Sequence, residues 1–199
     1  PDIVVARLPI YLRALNHLLA EGQQITASKQ LARRLGISSA QIRKDLSHCG
    51  EFGKQGMGYD VAPLRDHLRK ILKVDREWEM ALVGAGDLGH AIVHYGGFEG
   101  RGFCIACVFD NNPQKIGRHL GHVEICDVAE LPDKVQQAGI KTAIVAVPAN
   151  VAQAVVDELV KVGIKAILNY APITVTAPAD VKIQYIDPVV HLQHMTYYL

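Results

Sequence analysis

Ala81-Leu82-Val83-Gly84-Ala85-Gly86-Asp87-Leu88-Gly89-His90 is the stretch that decides the fold of this chain. The apolar residues at its start predict a buried strand, and those around Gly89 have helical spacing. Between them lies G-A-G-D-L-G, which has the spacing of the dinucleotide-binding fingerprint. Gly84 permits the tight turn, Gly86 lets the backbone approach a pyrophosphate, and Gly89 lets helix and strand pack closely. The pyrophosphate would lie on the free N–H groups at the start of the helix.

An acidic residue follows the next predicted strand. The run 103–109 is apolar and leads into Asp110, about where the fingerprint has the acid that binds the adenosine ribose. Glycines also cluster in ordinary turns, but strand, glycine turn, helix, strand and acid together favour a dinucleotide. Asp110 favours NAD(H) over NADP(H), because a carboxylate repels a 2′-phosphate and no arginine follows it directly.

From residue 79 onward, strand and helix patterns alternate, which is typical of an α/β protein with a parallel, doubly wound sheet. Such sheets bind ligands in a crevice at the carboxyl ends of their strands, here at 109–113, 146–150 and 168–172. Pro148 and Pro172 are equally compatible with simple strand stops. We expect strands at 79–83, 103–109, 122–125, 142–147, 165–168 and 182–186, helices at 87–96, 127–138 and 150–162, and a helical turn near Pro113.

The composition is that of an ordinary globular protein. Of the 199 residues, 49% are hydrophobic and 21% are charged, so the chain can bury a core. The net charge of +1 does not by itself indicate nucleic-acid binding. No run approaches the length of a membrane span and no signal peptide opens the chain, so we expect no membrane association. Four cysteines without regular pairing indicate a reducing, cytoplasmic location.

The N-terminal third combines a helical pattern with an excess of basic residues between Lys29 and Lys73. Apolar residues at helical spacing predict the helices, and serine and glycine predict their ends. We expect a first helix with the apolar residues Ile10, Leu12, Leu15, Leu18 and Leu19, a second from its N-cap Ser28 to its C-cap Gly36, and a third over 40–47, capped by Ser38 or Ser39, with Ile42 and Leu46 inward.

Two short helices joined by a tight, glycine-containing turn form a helix-turn-helix pattern. The first turns of the second helix in such a pair enter the major groove of DNA. A helical hairpin with a merely solvated basic face is the alternative, and the basic excess favours DNA binding. The candidates for contacts to bases and phosphates are Ser28, Ser39, Gln41, Arg43 and Lys44.

The segment 50–59 contains four glycines interleaved with Phe52, Tyr59 and one lysine. This composition favours an open hairpin, which after a helix-turn-helix is the wing of a winged-helix domain. Lys54 at its tip would reach phosphate or the minor groove, with Gly56 and Tyr59 beside it. An amphipathic helix over 61–74 follows, with Pro63 in its first turn.

A charged segment at 75–78 separates the helical part from the sheet part. We expect a winged-helix DNA-binding domain over 1–76, a Rossmann domain over 77–186 and a C-terminal helix over 187–199. Asp187 would be the N-cap of that helix and Pro188 its first residue. Because apolar residues lie on more than one face of the helix, it packs either on its own domain or on another chain. The sequence does not decide between the two.

A series of short motifs runs from the first helix to the last: Tyr11-Leu12-Arg13, 41–47, 50–59, 83–89, 109–117, Ala146-Val147-Pro148, 167–172 and Ile186-Asp187. Over nearly the whole chain they resemble the Rex family of redox-sensing transcriptional repressors. The resemblance implies a homodimer whose subunits each have a winged-helix domain, a Rossmann domain and a final helix swapped onto the partner. It also implies that NADH releases palindromic operator DNA, whereas NAD⁺ competes for the same site without releasing it.

The resemblance further implies three groups of cofactor contacts. Gly84, Ala85, Gly86, Asp87, Leu88 and Gly89 would hold the pyrophosphate. Asp110 would bind the adenosine ribose, with Asn111, Lys115 and Ile116 towards the adenine. Val147, Pro148, Asn169, Ala171 and Pro172 would enclose the nicotinamide end.

The resemblance also implies a switch made of Arg13, Tyr95 and Asp187. Asp187 would pair with Arg13 of a DNA-binding domain in one state and with Tyr95 in the other. NADH and DNA would then favour different arrangements of the two subunits, and their antagonism would be reciprocal.

Three alternatives concern single residue types. An NAD-dependent oxidoreductase needs a proton donor beside the nicotinamide, but His90, His94, His191 and His194 lie on predicted helices without an orienting partner. Zinc binding by Cys104 and Cys107 is disfavoured because alternation along a strand would put their sulfurs on opposite faces. Cys49, near the basic helix, would be reactive if exposed, because nearby cations lower the pKa of a thiol.

Overall fold

The computed structural model describes residues 2–50, 52 and 57–199. Contacts within the chain divide it into two compact units, residues 1–76 and residues 77–199. The first unit is mainly helical, and the second contains a seven-stranded sheet with helices.

The first unit packs its helices around one apolar cluster and adds a small antiparallel ladder. In that ladder Ile25 pairs with Asp60 and Thr26 with Tyr59. The predicted DNA contacts Lys54 and Gly56 lie outside the described residues. The elements are α1 (Asp2–Ala20), β1 (Ile25–Thr26), α2 (Ser28–Leu35), α3 (Ser39–Cys49), β2 (Tyr59–Asp60) and α4 (Val61–Ile71).

Helix α1 buries most of the apolar residues that predicted it: Leu15 and Leu18 are fully buried, and Leu12 and Leu19 pack partly buried against the cluster. Its fully buried large side chains are Leu8, Tyr11, Leu15 and Leu18, spaced three or four residues apart along one face. Of the five apolar residues whose spacing predicted this helix, Ile10 is exposed. One turn of helix advances 3.6 residues, and Ile10 therefore lies about 100° around the helix from Tyr11.

The expectation that no run approaches a membrane span was also wrong by length and composition. Within the described residues, one 18-residue stretch of α1, Ile3–Ala20, has a mean hydropathy of 1.3. Leu8, Leu15 and Leu18 of this stretch are buried in the first unit. A core helix of a globular protein passes the same test of length and composition.

Of the predicted helix caps in this unit, one is wrong and two are confirmed. Ala27 is the N-cap of α2, so Ser28 is its first helical residue and not its cap. Gly36 closes α2 in the left-handed conformation, with φ of 67°. Ser38 caps α3, because its hydroxyl accepts a hydrogen bond from the N–H of Gln41. Ile42 and Leu46 of α3 are buried, as their spacing predicted.

The second unit is a seven-stranded sheet in the order β5-β6-β4-β3-β7-β8-β9. All neighbouring strands are parallel except β5, which is antiparallel to β6. The elements are β3 (Trp78–Val83), α5 (Asp87–Val93), β4 (Phe103–Asp110), β5 (His119–Leu120), β6 (Val123–Asp127), a 3-10 turn (Val128–Glu130), α6 (Leu131–Ala138), β7 (Thr142–Val145), α7 (Ala149–Lys161), β8 (Ala166–Asn169), β9 (Lys182–Tyr185) and α8 (Pro188–Thr196).

The sheet confirms the predicted doubly wound α/β topology. From β3 the chain crosses to β4 on one side and later to β7 on the other, so the strand order reverses at β3. Ligands of such sheets bind outside the carboxyl ends of the strands at this reversal. The predicted alternation is correct, although α5 ends at Val93 rather than at 96 and β7 ends at Val145 rather than at 147.

An irregularity in β4 changes the faces of its two cysteines. Glu79 of β3 pairs with Cys104, but Ala81 pairs with Cys107, so one residue of β4 is extra at this point. Because Glu79 and Ala81 lie on the same face of β3, Cys104 and Cys107 also share a face. The prediction that their sulfurs point to opposite sides was therefore wrong.

Helix α8 has the predicted start. Asp187 is its N-cap, and its Oδ1 accepts a hydrogen bond from the N–H of Val189 at 2.9 Å. Pro188 is the first helical residue. Every residue from Pro188 to Leu199 is exposed in this chain, so the apolar side chains of the helix are not packed on their own unit.

Candidate functional sites

A cavity of about 500 Å³ lies at the carboxyl ends of β3, β4 and β7. The glycine turn, the end of β4 and the start of α7 all contribute to its wall, as expected for the reversal point of a doubly wound sheet. It is lined by Val83, Gly84, Gly86, Asp110, Asn111, Asn112, Lys115, Val128, Ala146, Val147, Pro148, Asn150, Val151 and Val155.

The three fingerprint glycines have different surroundings. A Cβ atom on Gly84 would lie 2.3 Å from the carbonyl oxygen of Ala146, and one on Gly89 would lie 2.1 Å from that of Gly84. Gly84 also has a φ of +105°, which favours glycine. A Cβ on Gly86 would meet no atom within 4 Å. Gly84 and Gly89 are therefore required by packing, whereas Gly86 leaves open space beside the backbone.

Asp110 is a buried carboxylate at the end of β4. Its Oδ2 accepts a hydrogen bond from the N–H of Ala85 at 2.8 Å, and its Oδ1 accepts one from the N–H of Asn112 at 2.8 Å. The ammonium group of Lys115 lies 3.3 Å from Oδ2. Burial alone raises the pKa of Asp110, but these donors outweigh it and the pKa is lowered. Asp110 is therefore ionised near neutral pH.

Lys115 reaches Asp110 because the chain makes a single helical turn after β4. The N–H groups of Lys115 and Ile116 both donate to the carbonyl of Asn112, and the N–H of Gln114 donates to the side chain of Asn112. This is the turn predicted near Pro113. It puts a cation beside Asp110, a contribution that the spacing of Asp110 alone did not reveal.

Several predicted cofactor residues do not line the cavity. Asn169 is buried, and its amide bonds within its own loop, donating to the carbonyls of Ala171 and Ile173 and accepting from the N–H of Ala171. Ala171 is buried and Pro172 is exposed. Ala85, Asp87, Leu88, Gly89 and Ile116 also lie outside the lining, although Ala85 donates to Asp110. The remaining predicted contacts line it: Gly84, Gly86, Asp110, Asn111, Lys115, Val147 and Pro148.

The cavity also contains residues that sequence reasoning did not select. Val128 follows β6, and Val151 and Val155 lie one helical turn apart on α7. All three are apolar residues of the cavity lining. The sequence did not identify Val151 and Val155, because their spacing on one face of a helix is equally typical of core packing.

Of the proposed switch residues, Arg13 lies in the first unit and is exposed on α1. Tyr95 follows α5 and is 57% exposed, and its ring packs edge-on against Phe98. Asp187 caps α8 with one carboxylate oxygen. Tyr95 and Asp187 therefore have polar groups available to a further partner.

Helix α3 presents the candidate DNA contacts in two ways. Arg43 and Lys44 are exposed and Ser39 is half-buried. The guanidinium of Arg43 donates to the hydroxyl of Ser28 at 3.1 Å. Gln41 is half-buried, and its amide donates to Asp45 at 2.7 Å. In the short ladder, Tyr59 is half-buried against the apolar cluster, and burial raises its pKa.

Asp45, on the inner face of α3, is fully buried and ionised. The guanidinium of Arg7 donates to both of its oxygens, at 2.6 and 2.7 Å, and the hydroxyl of Tyr11 donates at 2.6 Å. The hydrogen bonds from Arg7 outweigh burial and, with those from Tyr11 and Gln41, lower the pKa of Asp45 to about 2. This network joins α3 to α1.

Cys49, Cys104 and Cys107 do not have the lowered pKa of reactive thiols. Cys49 is half-buried and burial raises its pKa, so the exposure on which its predicted reactivity depended is not present. Burial likewise raises the pKa of Cys104, to about 11, and that of Cys107. Within residues 2–50, 52 and 57–199, no three His, Cys, Asp or Glu side chains cluster as a metal site.

Comparison with known proteins accounts for both units. Residues 75–173 match the family model of the CoA binding domain, and residues 1–47 match that of the putative DNA-binding protein N-terminus. A redox-sensing transcriptional repressor Rex of Chloroflexus aurantiacus is 51% identical, over 100% of this chain and 94% of its own. One from Brevibacillus brevis is 46% identical, over 100% and 96%.

Two solved structures extend the similarity to three dimensions. The structure of RSP in complex with β-NAD⁺ and operator DNA has a TM-score of 0.93 at 37% identity, covering 100% of this chain and 91% of that one. The structure of RSP in complex with β-NADH has a TM-score of 0.89 at 35% identity, covering 100% and 93%.

Proposed function

This chain belongs to the Rex family of redox-sensing transcriptional repressors, and we propose that it binds operator DNA and releases it when NADH binds at the glycine turn. NAD⁺ competes for the same crevice, so repression follows the NADH/NAD⁺ ratio. The observation that carries the proposal is the open backbone at Gly86 beside the ionised Asp110, in a cavity of about 500 Å³. The family consists of repressors and not of enzymes.

The chemistry of the crevice fits a dinucleotide. The open space at Gly86 and the N–H groups from Gly86 to Gly89 suit a pyrophosphate, for which backbone donors at close range are needed. The bound cofactor supplies a redox state to be sensed, through the charge and shape of its nicotinamide ring. The chain's own residues have to bind the cofactor and transmit which form is present.

Asp110 and Lys115 would contact the adenosine half. A carboxylate oxygen can accept two hydrogen bonds, and Oδ1 of Asp110 accepts only one from the described residues, so it can still accept a ribose hydroxyl. Its negative charge disfavours the 2′-phosphate of NADP(H). Lys115 stabilises that charge, and with Asn111 and Ile116 it would border the adenine.

The nicotinamide end would lie towards Val147 and Pro148, which line the cavity. Asn169 would act through its loop, because its amide bonds fix the backbone of Ala171 and Ile173. Ala171 and Pro172 would then be held near the nicotinamide by this loop rather than by the cavity wall.

The proposed dimer uses the exposed apolar side chains of the second unit. On α8, Val189, Val190, Leu192 and Met195 are each more than half exposed. Leu88 on α5 and Tyr95, which follows the end of that helix, are also exposed. A monomer would leave this apolar surface in water, whereas the helix α8 of a second copy would be buried on it.

Arg13, Tyr95 and Asp187 would couple the two ligands. Asp187 would pair with Arg13 in the DNA-binding arrangement and with Tyr95 in the NADH-bound one. Each ligand then stabilises its own arrangement of the subunits and weakens binding of the other by the same factor. The DNA would be a palindromic duplex, since a two-fold dimer presents two copies of α3. We propose a cytoplasmic location without membrane attachment, because DNA and the NADH pool must both be accessible.

Fluorescence anisotropy on a palindromic duplex, titrated separately with NADH and with NAD⁺, tests this function. We expect specific binding that NADH abolishes and NAD⁺ leaves intact. Absence of specific binding, together with substrate-dependent consumption of NADH, would identify an oxidoreductase instead.

A further inference from the structure

The carboxylate of Asp45 is saturated with hydrogen bonds. Its Oδ2 accepts from Nε of Arg7 and from the hydroxyl of Tyr11, each at 2.6 Å. Its Oδ1 accepts from Nη2 of Arg7 and from Nε2 of Gln41, each at 2.7 Å. Each oxygen thus uses both of its lone pairs. Asp45 itself is fully buried, so it presents nothing to a ligand directly.

The ionised state of Asp45 determines which end of the Gln41 amide faces it. An ionised carboxylate only accepts hydrogen bonds, so it takes the NH₂ group of Gln41 and cannot take the carbonyl. Among the described residues, Oε1 of Gln41 has no hydrogen-bond donor. The amide therefore directs an acceptor away from Asp45 and keeps one further N–H.

The local sequence offers Gln41 a different role that it does not take. Ser38 and Gln41 have the S-x-x-Q spacing of a capping box, in which the glutamine side chain bonds back to the N–H of the cap residue. The hydroxyl of Ser38 does accept from the N–H of Gln41 at 3.1 Å. The Gln41 amide donates to Asp45 instead of to the cap residue. The second hydrogen bond of the capping box is therefore not formed, and the amide is held in the first turn of α3.

We propose that Gln41 is a specificity-determining residue that recognises adenine in the major groove, with Asp45, Arg7 and Tyr11 as positioning residues. Adenine presents N6 as donor and N7 as acceptor on this edge, which match an outward Oε1 and the remaining N–H. The inference rests on the proposed function, in which the first turns of α3 enter the groove. Guanine and thymine present acceptors where Gln41 would place Oε1, so they are disfavoured at this position.

The test is selection of bound duplexes from a double-stranded DNA library with two inverted, randomised half-sites. The affinities of the selected duplex and of its single-base-pair variants are then measured by anisotropy. For the unmodified protein we expect one adenine position whose replacement weakens binding by roughly 5- to 150-fold. In Gln41→Ala that discrimination disappears at this position and remains at the others. Ser47→Ala, on the same helix and outside the Asp45 network, keeps the full pattern.

The variant Asp45→Asn tests whether Asp45 positions the Gln41 amide or only stabilises the fold. An asparagine can donate to Oε1 of Gln41, which turns the amide and directs its NH₂ group outward. The preference at the same position then moves from adenine towards guanine or thymine, whereas a merely structural role would weaken all duplexes equally. Tyr11→Phe, which removes one of the four donors, is the milder variant should Asp45→Asn not fold, and we expect a partial loss of the adenine preference.

The outcomes separate the inference from the function on which it rests. If the unmodified protein selects no sequence, the proposed function fails. If it selects a sequence and Gln41→Ala keeps every preference, or loses affinity uniformly, the assignment of Gln41 is overturned while DNA binding stands. NADH affinity, which depends on the other unit, should be the same in all four variants.

Discussion

Asp45 and Asp110 are both buried carboxylates with lowered pKa values, but their partners differ. Asp45 is surrounded by the side chains of Arg7, Tyr11 and Gln41, which occupy all of its acceptor positions. Asp110 is held by two backbone N–H groups and by Lys115, and it borders a cavity. A saturated carboxylate organises its own unit, whereas one with an acceptor left over at a cavity is available to a ligand.

The largest effect should come from removing the saturated carboxylate. Asp45→Ala leaves Tyr11 without its acceptor and Arg7 without its counter-charge, and the free energy of unfolding of the first unit should fall by about 3–5 kcal/mol. Urea denaturation followed by circular dichroism measures it, with Asp66→Ala, an exposed acid on α4, as control. Asp110→Ala should cost less, because water can reach the crevice. An equal loss in both would remove the distinction between the two acids.

The loss of folding stability at low pH should also depend on Asp45. Its pKa lies at about 2 in the folded chain, below the ordinary value of about 4. The stabilisation is therefore complete above pH about 4 and is lost as the pH falls through about 2. Denaturation at a series of pH values should show this loss, and Asp45→Asn should reduce it. If the variant keeps the same pH dependence, another acid is responsible.

The glycine turn allows cofactor binding to be weakened without unfolding. Gly86→Ala places a methyl group in open space, so stability should be unchanged, while crowding of the pyrophosphate should weaken NADH binding by roughly 5- to 150-fold, from a cost of about 1–3 kcal/mol. Titration of NADH fluorescence measures the affinity. Gly96→Ala is the matched control, because its added Cβ also meets nothing within 4 Å. Unchanged NADH affinity in Gly86→Ala would place the pyrophosphate elsewhere.

Asp110→Ala tests the acceptor that remains free at the crevice. Loss of one hydrogen bond to a charged group should reduce the preference for NADH over NADPH by about tenfold. Competitive titration with the two cofactors gives the ratio, and Asp133→Ala, an exposed acid on α6, provides the baseline. A ratio that does not change would exclude Asp110 from the ribose.

The smallest effect concerns a charge on α3 that lies outside the Asp45 network. Lys44→Ala should weaken binding of all duplexes alike and lower the salt dependence of binding by about one unit, as for one phosphate contact. NADH affinity should stay the same. Anisotropy at several salt concentrations measures the slope, with Lys70→Ala on α4 as control. A sequence-dependent loss would instead assign Lys44 to the bases.

The sequence identified one of these two acids, Asp110, and not the other. Asp110 was identified because it follows an apolar strand at a fixed distance from a glycine turn, and both signals are local. Asp45 gave no such signal, since Arg7 and Tyr11 lie 38 and 34 residues away along the chain. No periodicity or spacing reports a contact between side chains that are so far apart.

The wrong predictions have similarly physical reasons. Alternation along β4 predicted opposite faces for Cys104 and Cys107, but one extra residue in the strand resets the alternation. Basic neighbours in sequence predicted a reactive Cys49 if its thiol were exposed, but the thiol is half-buried and burial raises its pKa. Ser28 is a good cap residue by type, yet the chain enters α2 one residue earlier, and its hydroxyl bonds to Arg43 instead.

The sequence by itself determined the two-part organisation, the alternating strands and helices, the glycine turn and the acid beside it, because these depend on local backbone requirements and on the period of apolar residues. Only the tertiary structure decided which carboxylate is saturated, which end of the Gln41 amide faces outward, and that α8 leaves its apolar side chains exposed. These properties depend on burial and on partners distant in sequence, and folding alone brings those partners together.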